Sequence, residues 1–252
     1  PLASRAFRSI EQGEQLTDLS ERLHIPRNRS VAPAPLGEHP LGERFIALDQ
    51  GAAAVPLENL KLHIVGPTAK SLEALRTDWQ AWQDEQERRL LAGEELSERG
   101  ARKLDTSVPN LSSIMLLVES AGKRLLLTGD GRSDDLALGL QQAGYLAPKG
   151  TMHVDVLKLP HHGSKRNITA DFLRRVTADT YIVSASGYHG HPSLETLKAI
   201  VTAARDQHRA ITIAATNETS ATRSLLKTCK PGTYGYHLEL LPKGKHEFIL
   251  TL

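Results

Sequence analysis

Three short stretches of this sequence end in residues that can bind cations or move protons. Leu125-Leu-Leu-Thr-Gly-Asp130 closes an apolar run on a carboxylate. Leu157-Lys-Leu-Pro-His161-His162-Gly163-Ser164 closes the next run on two imidazoles, and Tyr188-His-Gly-His191-Pro192 follows a third, Tyr181 to Ala185. Polar tips on three expected strand ends point to one site, because α/β enzymes present ligands at the carboxyl edge of a sheet. Gly129 lets the backbone approach closely before Asp130. A carboxylate has two oxygens and can bridge two cations about 3.5–4 Å apart. The structural alternative is an aspartate capping the helix that begins near Ser133.

Imidazole is the commonest ligand where nitrogen and oxygen donors mix. Neighbouring side chains after a strand diverge, so one of His161 and His162 is expected to bind metal. The other would brace that ligand or touch substrate. His191 lies in a turn-rich loop, where an imidazole could donate a proton or bind a phosphate oxygen; the alternative is a loop with no role. Ser164 and Lys165 are candidates for contacting an anionic substrate, with a turn cap and a solvated charge as their structural readings.

The elements that must carry these residues are legible in the hydrophobic pattern. Leu60 to Val65 alternates as a strand. Leu111 to Glu119 and Arg124 to Thr128 read as a hairpin around Ala121-Gly122. Helices are expected over Ser133 to Ala143, Ala170 to Val176 and Ser193 to Ala204. Strands are expected over Val154 to Leu159, Tyr181 to Ala185 and Ile211 to Ala215. Tyr236 to Leu241 and Glu247 to Leu252 read as a closing hairpin. Ser71 and Ser133 are the expected helix caps, and Leu72, Leu75, Trp79 and Trp82 form an apolar helix stripe. Residues 1–59 read as an irregular connecting segment with a short helix near Gln15 to Leu23. A charged helical insert is expected near 71–105, its polar part from Gln83 to Lys103 reading as a solvated helix end and loop. The alternation gives an α/β class, a sheet with helices on its outer side.

Composition excludes several functions. The 252 residues carry a net charge of +2 and only 4% aromatics, which argues against a nucleic-acid-binding module. No apolar run reaches membrane-spanning length, and no signal peptide is visible. The single cysteine, Cys229, reads as structural and suits a reducing, cytoplasmic compartment. No phosphate-binding Gly-Lys loop, nucleophile elbow or Cys-x-x-Cys pair is present.

In this order, Asn110 to Leu117, Leu126 to Asp130, Pro160 to Ser164 and Gly190 to Pro192 resemble the metallo-β-lactamase-fold hydrolases. The likeness is to the branch containing the nuclease-like domain of bacterial DNA-uptake proteins, and it covers roughly residues 60–252. It implies the C-terminal half of an αββα sandwich. It also implies a metal-dependent hydrolase, a phosphoesterase or nuclease-like enzyme, with two zinc or manganese ions and a metal-bridging hydroxide. The ions would lower the pKa of water from about 15.7 towards about 7. By this resemblance Asp130 is the bridging carboxylate and His162 a metal ligand. His161 is its neighbour or the ligand instead, and His191 a substrate contact.

The family's upstream His-x-His-x-Asp-His cluster has no counterpart here, since His24, His39 and His63 are isolated. The preferred expectation is a C-terminal part whose first half lies elsewhere, on its own chain or a partner's. The alternatives are a chain that has lost its upstream ligands and a non-catalytic scaffold or partner-binding module that keeps the fold.

Overall fold

The computed structural model describes residues 54–74 and 112–251, together with Leu19, Ser20, residues 22–24, Leu48 and Thr77. Eight strands form one sheet in chain order: β1 (Val55–Leu57), β2 (Leu60–Gly66), β3 (Met115–Ser120), β4 (Lys123–Leu127), β5 (Met152–Lys158), β6 (Val176–Val183), β7 (Ile211–Ala215) and β8 (Tyr236–Leu240). β1 to β4 pair antiparallel, and β4 to β8 pair parallel. The β3–β4 turn places Ala121 and Gly122 at φ 49° and 79°. Two positive φ values are what a tight hairpin needs to match strand twist.

The parallel strands are joined by α1 (Ser133–Gln142), α2 (Ala170–Arg175), α3 (Leu194–Asp206), α4 (Ser220–Thr228) and α5 (Pro231–Tyr234). Right-handed crossovers that all step in one direction put every helix on the same face. The packing follows that rule. Leu117, Leu126, Leu157, Tyr181 and Ile213 form a cross-strand row with no solvent exposure. They join one core with Leu136, Leu140, Leu173, Leu197, Ile200 and Leu225 from the helices. Each such aliphatic side chain contributes about 1.5–3 kcal/mol by leaving water.

The opposite face is apolar but less covered. Leu116 pairs with Leu127, and Ile182 lies between Lys158 and Ala214. Leu127 is 36% exposed, while Leu116, Leu125 and Ile182 are half-buried.

Several expectations need correction. β8 pairs in parallel with β7, and residues 246–251 form no strand, so the closing hairpin is absent. β6 begins at Val176, directly after α2, because an Ala-Asp-Thr stretch of low apolarity continues the ladder. α4 was not expected; it is held by a capping box between Thr219 and Thr222. Ser133 does not cap α1; its Oγ accepts the Thr169 N–H at 3.2 Å. Thr68 Oγ1 accepts the Ser71 N–H at 3.1 Å, so the cap lies three residues before Ser71. β1 brings part of the supposed connecting segment into the sheet. The rest of residues 1–59, apart from those named above, the stripe residues Leu75, Trp79 and Trp82, and the insert over 83–103 lie outside the described residues. Among the described residues no helix is long and apolar enough to cross a membrane.

Candidate functional site

All the candidate residues except Lys165 and Ser164 gather where the parallel strands end. After β4, Thr128 Oγ1 donates to Lys158 O at 2.7 Å and couples the ends of β4 and β5. Gly129 follows at φ 51°, and a Cβ there would sit 2.7 Å from the Ser113 Cβ. The Asp130 N–H donates to Ser113 Oγ at 3.1 Å, and Asn167 Nδ2 donates to the Asp130 carbonyl at 3.1 Å. The backbone of Asp130 is thus fixed on both sides while its carboxylate keeps one-third of its surface in solvent.

After β5 the chain makes a left-handed turn. His161 and His162 have φ of 45° and 58°, and Gly163 continues at 84°. Left-handed backbone costs a non-glycine residue about 1–3 kcal/mol and concentrates at functional sites. The His161 N–H donates to Gly129 O at 3.1 Å, which ties this turn to the Asp130 loop. The turn sets the two rings edge-on to each other, with centroids 6.0 Å apart. His161 packs edge-on against His191 with centroids 5.3 Å apart, whereas His162 reaches Asp130.

His162 Nδ1 lies 2.6 Å from Ser184 O, at the end of β6. A carbonyl oxygen can only accept, so Nδ1 carries the hydrogen, and in the neutral ring Nε2 presents its lone pair. That Nε2 is 3.9 Å from Asp130 Oδ1. In the neutral ring two acceptors therefore face each other, an arrangement completed by a proton or a cation between them. Two donors on a tetrahedral zinc ion lie about 3.4 Å apart, so the pair is slightly wide but of the right kind. In number it falls short. Among the described residues no group of three or more His, Cys, Asp or Glu is placed to hold a metal, whereas zinc sites take three or four protein ligands.

Burial pushes the His161 imidazole below its ordinary pKa, with the Asp130 charge opposing. Burial, then the neighbouring His161 and His162, lower His191 in the same way. Both shifts favour the neutral ring. His191 Nδ1 is buried without a hydrogen-bond partner among the described residues. Lys158, whose Nζ donates to Leu159 O at 3.1 Å, is lowered by burial against the pull of Asp130.

Ser164 and Lys165 are placed away from the pair. Ser164 is 3% exposed, and its Oγ accepts the Arg166 N–H at 3.3 Å, closing the turn. Lys165 Nζ donates to Glu195 Oε1 at 2.8 Å in an exposed ion pair. Beside the pair lies a cavity of ≈ 290 Å³ lined by His162, Tyr188, His189, His191, Thr216 and Asn217. Sequence reading missed Ser113, Asn167 and Lys158 as supports of the site. Their signals were position alone, since each sits within a motif or a few residues after one.

No protein-family model matches the chain. A stretch of 99 residues is 33% identical to "ComE operon protein 3" of Bacillus subtilis (strain 168). The match takes in 38% of this chain and 12% of that protein, so the chain is similar to a small part of it.

Proposed function

We propose that the chain is the C-terminal part of a metallo-β-lactamase-fold, metal-dependent phosphoesterase of the nuclease-like branch. The observation that carries this reading is the Asp130–His162 pair, whose two lone-pair-bearing atoms converge at 3.9 Å on the sheet edge. Ordered motif resemblance and partial identity to ComE operon protein 3 support it. Asp130 and His162 would hold one side of a divalent ion. The remaining ligands would come from a layer covering the second sheet face, where Leu127 and its half-buried neighbours leave apolar surface. That layer is a first half of the same fold, in this chain or a partner. When bound, the ions supply hydroxide at neutral pH and positive charge against the developing oxyanion.

The chain's own residues do the remaining work. Ser184 O orients His162, and Ser113 and Asn167 fix Asp130. His191, whose Nδ1 is buried without a partner among the described residues, would touch a phosphate oxygen or leaving group through its other ring nitrogen. The second reading, a scaffold without chemistry, is favoured by the absence, among the described residues, of a third donor beside this pair.

Bound metal per chain, measured after zinc or manganese loading and desalting, separates the two readings. Binding that is lost in Asp130→Ala, and metal-dependent phosphodiester hydrolysis once the covering half is present, supports the enzyme. No metal and no hydrolysis with the covering half in place means the scaffold.

A further inference from the structure

The cavity beside His162 has a character that cleavage of a phosphoester does not by itself require. It is walled by the ends of β6 and β7, and none of its lining residues is acidic. At ≈ 290 Å³ it lies at the lower limit of ligand pockets, room for one small group. Tyr188 stands at its rim with 80% of its surface exposed. His189, the next residue and also exposed, packs edge-to-face against the ring with centroids 4.8 Å apart. An exposed aromatic ring at the rim of a mainly apolar cavity that also holds an amide and imidazoles is a stacking platform.

Asn217 supplies the second feature. Its Nδ2 donates to Ala185 O at 3.0 Å and to Thr216 Oγ1 at 3.1 Å. The Ala185 carbonyl can only accept, so the amide orientation is fixed and Oδ1 is left as the acceptor. A planar ring that stacks and also carries N–H donors on its edge satisfies both residues. Among phosphoester substrates that is a nucleobase.

The geometry points to a nucleobase subsite in this cavity: Tyr188 stacks the base attached next to the phosphate and Asn217 Oδ1 accepts from its edge. This rests on the phosphoester reading for the position of the phosphate, at the His162 side of the cavity. Tyr188 and Asn217 are specificity-determining residues and touch no reacting atom.

Binding rather than turnover tests it, so that its failure is distinct from failure of the hydrolase reading. Calorimetric titration of the full chain, with adenosine monophosphate and with ribose 5-phosphate, isolates the base. Stacking a base on an aromatic ring is expected to favour the nucleotide by about five- to hundred-fold. Tyr188→Ala should remove that preference and Tyr188→Phe should keep it. Asn217→Ala should reduce it, and Asp130→Ala should leave it in place even where hydrolysis is absent. Equal affinity for the two ligands, no binding of either, or a preference that survives Tyr188→Ala overturns the subsite. Tyr188 is exposed, so its variants fold.

Discussion

His162 faces Asp130 with one ring nitrogen while the other donates its hydrogen to Ser184 O. The 2.6 Å contact to Ser184 O fixes the ring, and Nε2 then lies 3.9 Å from Asp130 Oδ1. His161, one residue earlier on the same left-handed turn, packs on His191 instead. The two histidines are therefore expected to behave differently. His162→Ala should weaken zinc binding by at least tenfold, and His161→Ala should weaken it less. Competition with a zinc-sensitive dye measures both. A larger loss in His161→Ala would reassign the ligand.

Asp130 is braced through its backbone by Ser113 and Asn167, so its side chain can be changed without loosening the turn. Asp130→Asn should keep the fold, judged by circular dichroism and urea midpoint, while abolishing metal-dependent hydrolysis of the assembled protein. An active Asp130→Asn protein would remove the carboxylate from the chemistry. Ser113→Ala removes the acceptor of the Asp130 N–H and should weaken metal binding less than Asp130→Asn does.

Gly139 lies inside α1, where alanine ordinarily stabilises a helix by about 0.8–1 kcal/mol over glycine. Here α1 crosses β2 so closely that a Cβ at Gly139 would run into the Val65 carbonyl. The clash with backbone outweighs the propensity gain. Gly139→Ala is expected to lower stability by about 1–3 kcal/mol, the usual cost of overpacking. Urea denaturation monitored by far-ultraviolet dichroism checks this, and a raised midpoint would show that α1 can shift away.

Strand ends were legible because each chemical residue closes an apolar run. Asp130 after Leu125–Leu127 and His161 after Val156–Leu157 needed no tertiary information. The core row Leu117, Leu126, Leu157, Tyr181 and Ile213 follows from the same runs. Periodicity could not reveal which way two adjacent imidazoles turn, since the positive φ at His161 and His162 belongs to a turn tied to the Gly129 loop by a long-range backbone hydrogen bond. The parallel place of β8 was also hidden. Its alternation is that of a hairpin strand, and only α4 and α5, folding back over the sheet, carry it round to β7. Tyr188 and Asn217 carry no spacing signal at all, because loops from separate strands bring them together.

At the other end of the sheet, Glu119 joins β3 to its surroundings. Its carboxylate lies 3.0 Å from Arg124 Nε and 3.0 Å from His63 Nε2, and accepts from Tyr145 OH at 2.9 Å. Burial works against the charged form, but the hydrogen bonds from Arg124, Tyr145 and His63 outweigh it and lower the Glu119 pKa from 4.5. The folded state therefore binds the Glu119 proton less readily than the unfolded state. This contribution is complete above about pH 5 and is lost as pH falls through and below the unfolded value. Burial first, then Glu119, raises Tyr145 to about 12. Its stabilising effect holds below pH 10 and fades as pH rises towards 12. Glu119→Gln is expected to cost about 1.5–3 kcal/mol at pH 7, because it replaces hydrogen bonds to a charged acceptor with neutral ones. It should also flatten the decline in urea midpoint between about pH 5 and pH 3. If Glu119→Gln and the unsubstituted protein lose stability in parallel across that window, the acid limb belongs to other carboxylates.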